Sequence, residues 1–268
     1  MIAIITSKDC PAGKNIKQNL LDNYNFKEIE TFEGNPIYQI ENIKLYTINQ
    51  KHIYAENLDK EIKADVFIFA TTHRSKSNIN SLSVHPIGNW NEAKLGGKEK
   101  TLVLSPSNYL KQAFKIINEK QLENYEYTTE ATHHGPYLET PTMFIEIGSG
   151  QKQWEDKKAG KIIADTIMET TKSVKENRSA VLFGGTHYNI EVNKILLQTN
   201  MGISHVCPKF QIDNLDKETI LQSFKKSYPE AKLAIIDWKG ASKEQRDKLI
   251  QIFRDANIPW KKSKEVRK

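Results

Sequence analysis

Hydrophobic and polar positions along the chain follow two rhythms. From about residue 160 onward they alternate between helical spacing and short apolar runs. Trp154 to Met168 carries Ile162, Ile163, Ile167 and Met168 at helical intervals, and Ala180–Phe183 is a strand-like run closed by Gly184 and Gly185. A helix from about Ile190 to Leu197, a short run at Ile203–Val206, a helix near 217–227 and a strand at 232–237 follow. Ser242 and Gln245 have the spacing of a capping box and open the last predicted helix, which stops before Pro259. Strand and helix in alternation predict parallel strands joined by crossover helices.

The first half is less regular. Ile2–Thr6 predicts a strand, not a signal peptide, because no basic segment precedes it and Ser7-Lys8-Asp9 ends it at once. A helix is predicted over 13–21, a hairpin over 36–49 turned at Glu41-Asn42, and strands at 65–70 and 101–104. The thirty residues from Thr71 to Lys100 show no clear period and read as a long functional loop. The fold class expected is α/β, a mixed and largely parallel sheet flanked by helices. One domain over 1–268 is expected, with a weak lobe division near 150.

Composition narrows the class. No run approaches the roughly 18 apolar residues of a membrane helix, and two cysteines, Cys10 and Cys207, cannot build a disulfide framework, which suits a reducing cytoplasmic compartment. The formal charge of +6 suits a polyanionic partner but equally a lysine-rich solvated surface, since only five arginines are present. The basic run at 261–268 reads as a frayed terminus more readily than as a docking arm.

Candidate chemistry lies in the histidines. Six of the seven, His73, His85, His133, His134, His187 and His205, fall in or just after predicted strand ends, where an open parallel sheet binds ligands. His52 reads as an ordinary half-buried residue, and His205 as structural. In Thr71–Ser77, His73 is suited to moving a proton or binding metal and Arg74 to clamping a phosphate or carboxylate, although a polar turn would look the same. His85 to Trp90 offers Asn89 and an indole for stacking, or simply a packed turn. Adjacent His133 and His134, if extended, point to opposite faces, so only one would readily serve a given site. Glu146, set in an apolar strand, must be paired, either orienting a histidine or in a structural ion pair. Gly184 and Gly185, before Thr186, His187 and Tyr188, would bring backbone amides to an oxyanion or phosphate. Neither cysteine looks activated and no nucleophile elbow is present, so water is the expected nucleophile.

Taken together, His73 to Ser77, His85 to Trp90, Ala131-Thr132-His133-His134-Gly135-Pro136 and Gly184 to Tyr188 resemble, in order and over nearly the whole chain, the archaeal and plant-type D-aminoacyl-tRNA deacylases. The resemblance implies a fold like that of peptidyl-tRNA hydrolase and the purine nucleoside phosphorylases. It implies hydrolysis of the ester joining a D-amino acid to the tRNA 3′ end, with broad side-chain tolerance, in a zinc-containing monomer without an obligate protein partner. On this reading His133, His134, His187 and Arg74 are catalytic. His73, Ser75, Lys76, His85, Asn89, Trp90, Thr132, Gly184, Gly185, Thr186 and Tyr188 bind substrate, and His134, His187 and Glu146 hold zinc. A related hydrolase of peptidyl-tRNA or nucleosides, or a non-catalytic RNA-binding protein, are the competing readings.

Overall fold

The computed structural model describes residues 1–75 and 79–267. An eight-stranded sheet runs in the order Glu126–Thr129, Ser81–Pro86, Thr142–Gly148, Val66–Thr72, Ile2–Ser7, Ile43–Ile48, Asn35–Ile40, Lys27–Phe32. Its centre is parallel. Ser81–Pro86 runs antiparallel to Thr142–Gly148, and the last three strands form an antiparallel meander at the far edge. A second, wholly parallel sheet has the order Met201–Cys207, Arg178–Phe183, Leu233–Ile236, Trp260–Lys262. The mixed, largely parallel α/β class expected from the sequence is what the chain forms. Among the described residues no helix is long and apolar enough to cross a membrane.

The central strands are apolar throughout because both faces are buried. Ile2, Ile4, Ile68, Ala70, Met143 and Ile145 point into one core, packed by the helices Pro11–Asn23, Ser107–Lys120 and Lys157–Ser173. Ala3, Ile5, Phe67, Phe69 and Phe144 point into another on the opposite face. Period-2 alternation makes this division. The first core continues into the second sheet through Ala180, Leu182, Ile203 and Ile235. The hairpin at Asn35–Ile40 and Ile43–Ile48 and the capping box at Ser242 form as predicted; Ser242 Oγ accepts from Gln245 N at 3.2 Å.

Two expectations change. The stretch read as a long loop contains the strand Ser81–Pro86, whose residues are all buried. Its alternation of Ser81, Ser83 and His85 with Leu82 and Val84 is a strand pattern, but the polar stripe faces a buried polar cluster instead of water, so it resembled a loop. Through Arg267 the basic tail is built into the fold: Trp260–Lys262 is an edge strand, Ser263–Val266 a helical turn, and Arg267 pairs with Glu191 at 2.9 Å.

One junction between the sheets bears on the chemistry. Ala131 N donates to His187 O at 2.8 Å, Asn189 N to Thr129 O at 3.1 Å and Thr132 N to Val206 O at 3.0 Å. Residues 129–132 therefore form a seam, and the chemistry gathers there.

Candidate active site

Five of the six strand-end histidines converge at this seam. His73 leaves the end of Val66–Thr72, His85 lies in Ser81–Pro86, His133 and His134 follow the seam, and His187 follows Gly184-Gly185 at the carboxyl end of Arg178–Phe183. His134 has φ 50°, a left-handed conformation. That turn overrides the strand alternation expected of adjacent histidines. Both rings lie on the same side, 4.4 Å apart between centroids, with His85 4.4 Å from His133 and 5.0 Å from His134. The sixth, His205, is fully buried between Thr132 Oγ1 and the Lys226 carbonyl, away from the cluster.

Two buried carboxylates organise the rings. Glu130, wholly buried, accepts from His187 Nε2 at 2.9 Å, and its other oxygen stands 3.2 Å from His73 Nδ1. Glu146 stands 3.4 Å from His73 Nδ1 and 3.7 Å from His85 Nε2, and accepts from Thr71 Oγ1 at 2.6 Å. Burial opposes charge on both glutamates. The histidines facing them outweigh it and hold both well below the usual carboxylate range: His187 and His73 for Glu130, His73 and His85 for Glu146. Burial likewise opposes charge on His73, but the paired carboxylates raise it to about 11, so it is an imidazolium at neutral pH. Its Nε2 reaches the Tyr188 hydroxyl at 2.5 Å. His133 and His134 behave oppositely: burial, then the neighbouring rings, push His133 far down and His134 to about 3, so both are neutral.

Burial opposes charge on His85 too, but the Glu146 carboxylate facing it raises its pKa above the ordinary value. Three of the rings share one hydrogen-bond pattern. Nδ1 of His133 faces the Ala131 carbonyl at 2.7 Å, that of His134 the Gly135 carbonyl, and that of His85 the Pro86 carbonyl at 3.1 Å. A carbonyl only accepts, so each Nδ1 carries the proton, and on the neutral rings Nε2 keeps the lone pair. One ring nitrogen from each of the three lies within 4.8 Å of the others. His85 Nε2 is buried without a hydrogen-bond partner, as is Glu130 Oε1. Neutral His133 and His134, joined by His85 in its neutral form, fit a zinc ion with an open fourth position. The set predicted from sequence does not assemble: His134, His187 and Glu146 each fall in a different group, namely His85–His133–His134, Glu130–His133–His187 and His73–Glu130–Glu146. The reason is their origin on separate strands, whose register places His187 beside Glu130 and Glu146 beside His73 and His85.

A cleft of about 620 Å³ opens over the cluster, lined by His52, His73, Arg74, His133, His134 and His187 among others. Arg74 is exposed with its guanidinium 5.3 Å from the Trp154 ring centroid, free to reach a ligand. Other predicted ligand groups are committed elsewhere. Trp90 is buried and donates to Val206 O at 3.1 Å; Asn89 binds the carbonyls of Gly96 and Lys98; Thr132 Oγ1 accepts from Val206 N; Thr186 Oγ1 donates to Tyr188 O. The Gly184 amide donates to Cys207 O and that of Gly185 to Gly240 O, both at 2.8 Å, so neither is available to an oxyanion. These glycines, at φ 111° and 81°, instead let the chain turn over Asp237. Ser75 lies half-buried beside Arg74, and Lys76 lies outside the described residues. Glu130 and His52 are the participants sequence reasoning passed over. Glu130's signal was an acid directly before Ala131-Thr132-His133-His134, and His52 had none, since only tertiary packing brings it to the cleft wall.

The opposed titrations predict a stability maximum in chelator-treated protein. The depressed glutamates stabilise the fold above their ordinary value of 4.5 and lose this as pH falls below it. The depressed His52, His133, His134 and His205 stabilise it above 6.5 and lose this below. The raised His73 stabilises it fully below 6.5 and progressively less toward 11. The thermal midpoint should therefore peak near pH 6.5, fall steeply in acid and decline between pH 6.5 and 8. A midpoint flat from pH 4 to 8 contradicts the ionisation pattern.

Paired buried carboxylates, a charged histidine and neutral imidazoles thus gather under an open cleft on an α/β scaffold, and the sequence matches make the chain a hydrolase. The chain belongs to the D-aminoacyl-tRNA deacylase family, whose sequence profile matches residues 60–261. It is 36% identical over 268 residues to the D-aminoacyl-tRNA deacylase of Pyrococcus furiosus, covering 97% of this chain and 99% of that one. It is also 36% identical over 282 residues to the protein of the same name from Methanosarcina mazei, covering 99% and 93%. Its fold is similar to the crystal structure of a conserved protein of unknown function, with a TM-score of 0.93 at 29% identity over 100% of this chain and 96% of that chain.

Proposed function

We propose that this protein hydrolyses the ester between a D-amino acid and the 3′ end of tRNA, releasing both. Family membership supplies the substrate class. The observation that carries the chemistry is Glu130, buried between His187 and His73, both of which line an open cleft.

His187 Nε2 donates to Glu130, which leaves Nδ1 as an acceptor on a half-exposed ring. In that tautomer the ring takes a proton from water, and the Glu130 carboxylate stabilises the imidazolium that forms. His73 is charged and donates from Nε2 to the Tyr188 oxygen, which leaves the Tyr188 hydroxyl proton for another acceptor. That proton is suited to the oxygen that gains charge as the ester carbonyl is attacked. Arg74, at the cleft wall, is suited to the terminal phosphate. His85, His133 and His134 would hold zinc, which when bound supplies Lewis acidity and lowers the pKa of a coordinated water.

Broad side-chain tolerance is supported by the cleft wall, where Ile53 and the half-exposed Leu95 offer apolar surface without a closed pocket. Release of D-tyrosine from D-tyrosyl-tRNA, compared with L-tyrosine from the L-ester, tests the proposal. Turnover of the D-ester in large excess is expected. Equal turnover of both, or of neither, overturns it, and cleavage of N-blocked aminoacyl-tRNA alone would favour a peptidyl-tRNA hydrolase.

A further inference from the structure

A large open recess lies away from the histidine cluster. It has a volume of about 1070 Å³ and lies where the second sheet begins, beside Arg178 and Met201, the first residues of their strands. The cluster lies beyond the opposite, carboxyl ends. The recess is lined by cations from three elements: Lys111 and Lys115 on the helix Ser107–Lys120, Lys175 in the connection after the helix Lys157–Ser173, and Arg178 at the start of its strand. Glu176 is the one carboxylate among the lining residues, which otherwise include asparagines, Gln112, Ser173 and Thr199.

The cations differ in state. The Lys111 ammonium is consumed, donating to the carbonyls of Leu196 at 2.6 Å, Met201 at 3.3 Å and Thr199, and so ties down the end of the helix Ile190–Gln198. Among the described residues Lys115, Lys175 and Arg178 form no ion pair with a carboxylate. Lys175 and Arg178 are exposed. An open recess with three unpaired cations and a fringe of amides is matched to phosphate oxygens.

Its distance from the chemistry is set by one helix. Ile190–Gln198 starts just after His187 and Tyr188 and ends at Thr199, on the recess rim. Nine residues of helix span roughly 13 Å, and the six-residue strand Arg178–Phe183 beneath it roughly 20 Å. A few single-stranded nucleotides bridge that interval, which is the length of the unpaired 3′ end of a tRNA.

We propose that this recess anchors the phosphodiester backbone of the tRNA acceptor arm while the esterified 3′ end lies in the histidine cleft. The inference rests on the function proposed above and adds where the RNA body is held. Such contacts are sequence-independent, release counterions and weaken with salt.

The test is binding of deacylated tRNA by fluorescence anisotropy across a salt series, with the full chain. The double variant Lys175→Glu/Arg178→Glu should raise Kd by on the order of 100-fold near 0.1 M salt and flatten the log–log salt slope by about two. Lys217→Glu/Lys225→Glu, the same charge change on the helix Lys217–Lys225, controls for net charge and should shift Kd far less. Both pairs are exposed, and thermal melting verifies the fold of each variant. Equal shifts in the two variants, or no shift in the first, overturn the anchor. Wild-type hydrolysis of D-tyrosyl-tRNA is measured alongside. Turnover with an insensitive Kd defeats the anchor alone, whereas no turnover defeats the functional reading itself.

Discussion

Glu130→Gln is expected to lower kcat/KM on D-aminoacyl-tRNA by roughly 10³-fold, the scale of a lost general base. The substitution keeps shape and removes charge. It strips His187 of the carboxylate that fixes its tautomer and would stabilise its protonated form, at a contact of 2.9 Å. It also leaves the buried His73 imidazolium with Glu146 as its remaining carboxylate. Because Glu130 is wholly buried, loss of stability is a second consequence, and the two are separable. Glu146→Gln removes the other carboxylate facing His73 without touching His187, so it should match the fall in thermal midpoint while losing much less turnover. Glu130→Asp, which keeps the charge but shortens the reach, should recover part of the rate. If folded Glu130→Gln turns over near the wild-type rate, the His187–Glu130 pair is not the base.

The second large effect concerns His85, His133 and His134. Alanine at His85 or His134 should release bound zinc on dialysis, as measured by metal analysis, and lower turnover by roughly 10³-fold, a barrier increase of several kcal/mol. Chelator should reproduce the loss in the wild type, and added zinc should restore it there but not in the variants. His205→Ala provides the contrast. That ring is equally buried but bonded to Thr132 and the Lys226 carbonyl, so its loss should lower stability and leave zinc content intact. Wild-type protein that carries no zinc and ignores chelator would rule the metal out of this site.

Much of this site was legible in the sequence because its residue types are costly to place at random. Histidines at strand ends and a glutamate inside an apolar strand each violate a local pattern, and each violation points to a site. The hydrophobic periods likewise determined the α/β class, the hairpin and the last helix cap, since these depend on contacts within a few residues. Tertiary structure alone decided what those residues do. The strand Ser81–Pro86 was hidden because its polar face meets a buried cluster, which no solvent-based pattern detects. The shared direction of His133 and His134 came from a single left-handed residue. Glu130 took the central place, and Gly184, Gly185, Trp90 and Asn89 were removed from the ligand's reach, by hydrogen bonds between segments far apart in the chain. Ligand sets and hydrogen-bond partners depend on the register between strands and on the seam between two sheets. Spacing along a chain carries no record of either.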